Sequence, residues 1–171
     1  RIYEHLLESN ADDPVLLSEA ARIHATTALE FGTDDDDVAE ELIQRAKAAG
    51  AVEKQLAPAL AAIDIYRGDL INADKVLTAS QTQAGDNVPE LIYLRGLWYL
   101  HQDNPRESLR RFAAASQANP QDVRMVLAQA RALYAQGGLR GAMQKLDEVE
   151  GLSAQNVASR LLRAKINIEA G

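Results

Sequence analysis

The stretch Leu139-Arg-Gly-Ala142-Met-Gln-Lys-Leu146 places a small residue four positions before a large apolar one. The same pair stands upstream at Ser108 and Phe112, at Ala73 and Leu77, and at Ala39 and Ile43. The small residues are spaced 34, 35 and 34 apart. On a helix, positions i and i+4 lie on one face. The pair therefore marks a helix surface where a neighbour comes close and a bulky side chain fills the space beside it. A fixed period of this length is the signature of stacked repeats.

The stretches between these pairs have helical spacing and helix punctuation. Proline opens segments at Pro14, Pro89 and Pro105, where its missing N–H would be unpaired anyway. Asp103-Asn104 ahead of Pro105 is a capped start. Glycine closes segments at Gly32 and Gly50, and Gly68 and Gly137-Gly138 fall in turns. The spacing predicts helices over 1–8, 14–31, 38–49, 52–66, 70–83, 89–102, 105–118, 121–136, 139–149 and from 156 onward. In the second of these, Leu16, Ala20, Ile23 and Thr27 are expected to form the apolar face. In the third it is Val38, Leu42, Ile43 and Ala46. No alternating strand pattern is present, and the short connections suit helical hairpins. The expectation is an all-α chain.

Composition narrows the function classes. A net charge of −7 with no basic stripe makes nucleic acid a poor partner. The absence of cysteine excludes disulfides, thiol catalysis and cysteine-ligated zinc. It leaves cytoplasm and bacterial periplasm both open. No apolar run approaches the ~20 residues that span a bilayer. Asp34, Asp35, Asp36 and Asp37 invite a calcium reading, but a calcium loop needs alternating ligands, a turn glycine and a closing glutamate. Helix capping and the N-terminal dipole explain them instead. His5, His24 and His101 have no second histidine at metal-ligand spacing. Gly137-Gly138 lacks the Lys-Ser/Thr of a phosphate loop. Arg106, Glu107, Arg110 and Arg111 read as a solvated helix face. No nucleophile–base pair is legible, so a non-enzymatic chain without cofactor is expected.

The pattern resembles the tetratricopeptide repeat family, of degenerate bacterial type. The stretch 89–120 carries the likeness best, with Gly96, Tyr99, Ser108, Phe112 and Pro120 on the family's glycine, tyrosine, small, aromatic and proline positions. The next unit matches through Ala130, Leu133, Ala142 and Leu146, and the preceding one through Ala61, Gly68, Asp69, Ala73 and Leu77. The first keeps Ala21, Ala39, Ile43 and Ala46, with about six extra residues around 33–36. The signature tryptophan is replaced by Leu17, Ala57, Ile92 and Val126. Repeats over 14–53, 54–88, 89–122 and 123–156 follow, with a second helix at 1–13 and a first helix at 157–171 as partial units.

The resemblance implies stacked antiparallel hairpins in a right-handed α-solenoid. Its first helices would line a concave groove of Tyr66, Tyr93, Leu97, Leu100, Leu127, Arg131 and Tyr134, with Arg124, His101 and Lys165 nearby. Tyr, Leu and Arg in a groove suit a protein or peptide partner with apolar anchors and some negative charge. The family's clamp for chaperone C-termini needs Lys and Asn where this chain has Ser18, Pro58, Tyr93 and Leu127, which disfavours that partner. The expected function is a protein-interaction scaffold. The alternative is a structural or self-assembly segment of a larger repeat protein, as in bacterial envelope assembly or export. For that reading Leu162, Ile166 and Ile168 would lie partly bare at a C-terminal end open to self-association.

Overall fold

The computed structural model describes residues 10–84 and 88–170, and the helix expected over 1–8 lies outside them. The described residues form α-helices joined by short turns: α1 (Pro14–Phe31), α2 (Asp35–Ala48), α3 (Glu53–Tyr66), α4 (Leu70–Ala84), α5 (Pro89–His101), α6 (Pro105–Ala118), α7 (Val123–Ala135), α8 (Leu139–Leu152) and α9 (Val157–Ala170). No strand occurs among them. None of these helices is long and apolar enough to cross a membrane. The chain divides into two compact units, Arg1–Asp86 and Asn87–Gly171.

Short polar side chains start most of these helices by accepting bonds from N–H groups that lack an intrahelical partner. Asp13 accepts from the Val15 and Leu16 amides at 2.8 and 3.0 Å. Asp69, Asn104, Asp122 and Asn156 do the same for Asn72, Glu107, Arg124 and Ser159. Asp34 departs from expectation, because its side chain makes no capping bond. Its neighbours act differently from caps. Asp35 bonds Thr33 and His24, and Asp36 bonds Arg67 at the end of α3. Asp35, Asp36 and Asp37 still lie in the first turn of α2, where the helix dipole favours negative charge.

The turn inside each hairpin has a left-handed residue: Gly32, Gly68, Asp103 and Gly137, with φ of 65°, 79°, 55° and 76°. Each of these turns is three residues long, including 32–34. The extra residues of the first repeat therefore do not enlarge its turn. Ala61, Gly96 and Ala130 are each followed by five helical residues, whereas Ala21 is followed by ten. The insertion lengthens α1 by about one and a half helical turns.

The repeating pairs form the core. Ala39, Ala73, Ser108 and Ala142 are fully buried, and Ile43, Leu77, Phe112 and Leu146 are at most 1% exposed. Their partners on first helices, Ala21, Ala61 and Ala130, are also fully buried. Gly96 shows why the position must be small: a Cβ there would lie 2.5 Å from Cε1 of Phe112. Phe112 is the one aromatic residue at the large position, and it faces the one glycine at the small position.

In the first unit α1 packs on both α2 and α3, and α3 packs on α4. In the second, α6 sits between α5 and α7, α8 packs on α7, and α9 meets α8 and α7. The buried face of α1 shares only Ala20 with the expected one. Leu17, Ala21, Ala25 and Ala28 are fully buried, while Leu16, Ile23 and Thr27 are half-exposed. The close contact with two helices selects the alanine face, because small side chains let backbones approach. Val38 is exposed at 43%, unlike Leu42, Ile43 and Ala46, which are buried. Ile166 is buried rather than bare, because it belongs to the core cluster of α7, α8 and α9.

Candidate partner-binding face

Three of the seven residues expected to line a groove are core residues. Tyr93, on α5, is 1% exposed. Its ring lies 5.6 Å from that of Phe112, tilted by 46°, and the Arg124 guanidinium lies 5.3 Å from the ring centre. Leu97 on α5 and Leu127 on α7 are each 3% exposed. Leu127 packs with Val126, Ala130 and Leu146 in the core under α8 and α9. These side chains stabilise the helix stack and do not present themselves to a ligand. The projection fails here because a first helix is covered from two sides, by its own hairpin and by the next.

Leu100, Arg131 and Tyr134 remain half-exposed on the second unit, and Tyr66 is half-exposed at the end of α3 in the first. The Tyr66 hydroxyl donates to the Thr33 carbonyl at 3.2 Å, and so fastens the α1–α2 turn to the next hairpin. Beside it Arg67 bonds Asp36 at 2.9 Å and Glu40 at 3.1 Å. These bonds raise the pKa of Arg67 and hold Glu40 below the usual carboxylate range. His101 is exposed at the end of α5.

On the second unit Arg124 joins the starts of α7 and α5. It bonds Asp122 at 2.7 Å and Glu90 at 3.0 Å. Burial opposes the charge on Arg124, but the bonds to the two carboxylates outweigh it and raise its pKa. One hairpin further, the Tyr134 hydroxyl bonds Glu169, and the Lys165 ammonium lies 5.0 Å from the ring centre. The bond to Glu169 pushes the phenol pKa up. Arg163 of α9 bonds Asp147 at 2.7 Å and Glu150 at 3.0 Å on α8.

These links have a common span. Arg45 to Ala11, Tyr66 to Thr33, Arg67 to Asp36, Arg124 to Glu90, Gln136 to Pro105 and Tyr134 to Glu169 join residues 34, 33, 31, 34, 31 and 35 apart. Within each unit, residues about one period apart in sequence are therefore neighbours in space.

The face has a component that sequence reasoning singled out only at Ile168, as a bare residue. Val157, Leu161 and Ile168 on α9 are 66%, 65% and 81% exposed. Leu161 stands 34 residues after Leu127, and Ile168 stands 34 after Tyr134. Extending the groove positions by one more period would have found both. Among the described residues no group of three or more His, Asp or Glu is placed to hold a metal ion. No protein-family model matches the chain, and no curated protein or solved structure matches it either.

Proposed function

We propose that the chain is a non-catalytic interaction scaffold of tetratricopeptide type, a right-handed solenoid that holds a peptide or helix of a partner protein. The observation that carries this reading is the set of links spanning about one period, since a regular stack offers successive first helices as one extended surface. Leu100, Arg131 and Tyr134 are the expected residues that keep accessible surface on the second unit. They combine an apolar residue with arginine and tyrosine, two of the types enriched in binding hot spots. Tyr93, Leu97 and Leu127 act beneath them as support.

Affinity capture tests the reading, comparing the native chain with a Tyr134→Ala, Arg131→Ala variant of unchanged helicity. The expected result is a partner recovered with the native chain and lost with the variant. Equal recovery with both would remove this face from the proposal. A second reading, a structural segment that joins further helices or another copy, is favoured by the bare apolar stripe on α9.

A further inference from the structure

The two units differ in charge. Arg1–Asp86 carries 17 acidic and 7 basic residues, a net of −10, while Asn87–Gly171 carries 8 and 11, a net of +3. The difference shows at one place in the repeat, two residues before the small position of each second helix. Asp37 holds it in α2, Ile71 in α4, Arg106 in α6 and Arg140 in α8, and all four are exposed. In the first turn of a helix the dipole favours negative charge. Asp35, Asp36 and Asp37 follow that preference, whereas Arg106 and Arg140 oppose it.

The second unit gathers its arginines along one edge. Gln136 donates to the Pro105 carbonyl at 3.0 Å, which draws the start of α6 to the turn that precedes α8. Arg106 follows Pro105 directly, and Arg140 stands four residues after Gln136. Neither arginine side chain has an ion pair or hydrogen bond among the described residues. Arg110, one helical turn beyond Arg106, bonds Glu107 at 2.8 Å but keeps 73% of its side chain exposed. Arg111 lies over the Tyr99 ring instead.

The first unit carries the complement. Asp34, Asp37, Val38 and Glu41 fall on one side of the start of α2 by their spacing. Asp34 and Glu41 are exposed, and their side chains have no partner among the described residues. Asp37 is 87% exposed and stands 3.9 Å from Arg67, a guanidinium that Asp36 and Glu40 also bond. Val38, 43% exposed, lies among these carboxylates. The stem of an arginine can cover such a residue while its head meets the carboxylates beside it. Asp37 and Glu41 are four residues apart, as are Arg106 and Arg110, so the two pairs project from their helices at the same separation.

We propose that two copies of this chain associate head to tail through these edges, with Asp34, Asp37 and Glu41 of one meeting Arg106, Arg110 and Arg140 of the other. Guanidinium–carboxylate bonds make the contact specific, and exposure keeps it weak and sensitive to salt. Because the two edges differ, a dimer keeps one edge of each kind unless it closes into a ring. The contact uses neither the Leu100–Arg131–Tyr134 face nor α9. Salt gives the test its sign. A net charge of −7 makes the chains repel, so without the contact the second virial coefficient from light scattering is positive at about 0.1 M NaCl and falls at about 1 M, as salt screens the repulsion. With the contact it is negative at about 0.1 M and rises at about 1 M. Asp37→Arg with Glu41→Arg should make it positive at the lower salt, and so should Arg106→Glu with Arg140→Glu, each variant keeping its helicity by circular dichroism. An equal mixture of the two variants should show attraction again, because the native arginine edge of one then meets the native carboxylate edge of the other. Repulsion between native chains at about 0.1 M, or a mixture that stays repulsive, overturns the proposal. Attraction that persists at about 1 M or in both variants also overturns it, because another surface would then join the copies.

Discussion

Gly96 and Phe112 make a pair whose energetics can be worked out before measurement. A Cβ added at Gly96 would lie 2.5 and 2.6 Å from Cε1 and Cδ1 of the ring, and 3.1 Å from Cζ. Carbon atoms in contact prefer about 3.5–4.0 Å, so the ring must retreat by roughly 1 Å. It has nowhere open to go, being fully buried, with Tyr93 beside it. Overpacking of this kind costs about 1–3 kcal/mol. The substitution also removes a glycine from the interior of a helix, which returns about 1 kcal/mol. Gly96→Ala alone should therefore destabilise the second unit by about 0–2 kcal/mol.

Phe112→Leu changes the sign. Leucine is the residue in this register at Leu77 and Leu146, opposite Ala61 and Ala130. With the ring gone, Ala at 96 should be neutral or stabilising by up to about 1 kcal/mol, giving a coupling of about 1–3 kcal/mol. Urea unfolding of the four proteins measures it. The fluorescence of Trp98, the only tryptophan, reports on the second unit from a position 4.9 Å from the Tyr99 ring centre. If Gly96→Ala costs the same with phenylalanine and with leucine at 112, the ring is not what requires the glycine, and the reasoning is refuted.

Ser108 has a fully buried hydroxyl with no hydrogen-bond partner, at a position where the other repeats have alanine. Ser108→Ala should raise stability by about 1 kcal/mol in the same urea assay; a loss would mean that the hydroxyl is satisfied. Asp103 occupies the left-handed turn position that Gly32, Gly68 and Gly137 hold elsewhere. Asp103→Gly should therefore be neutral to stabilising by up to about 1 kcal/mol, and a drop in melting temperature would count against strain at this turn. Thr33 and then His24 lower the pKa of Asp35, and Arg67 lowers that of Glu40. A carboxylate with a depressed folded pKa adds stability above its unfolded value near 4, and that contribution is lost as pH falls through the folded value. The first unit should weaken below about pH 4, and Asp35→Asn with Glu40→Gln should flatten this acid limb in urea midpoints; an unchanged limb would exclude these bonds as its source.

The helices and their spacing were readable because the signals are local. Asp13-Pro14, Asn104-Pro105 and the turn glycines act within one helical turn, and the pairs from Ala39–Ile43 to Ala142–Leu146 require only helix geometry to be recognised. Burial on first helices was harder to read because it depends on two neighbouring helices at once. Tyr93 looks like a surface anchor until Phe112 and Arg124 are placed around it. The true inner face of α1 is built largely of alanine, which contrasts too weakly with the rest of an alanine-rich helix to compete with Leu16 and Ile23. On α9 the exposure of Ile168 was expected, but that of Leu161 was hidden for a related reason. Leu161 looks like a core residue by composition, and its exposure depends on what packs over α9, which the helix's own residues do not state.

The links of about one period also bear on how the chain folds. Within a unit, a bond such as Tyr66 to Thr33 or Arg124 to Glu90 closes a loop of one hairpin. Loop-closure entropy rises only with the logarithm of length, and these loops are all of similar size. Within a unit, one hairpin can thus dock on its neighbour at a modest entropic cost, without waiting for distant stretches of chain to meet. Helical topologies with such local contacts fold in microseconds to milliseconds. For each unit that predicts rapid growth from whichever hairpin forms first.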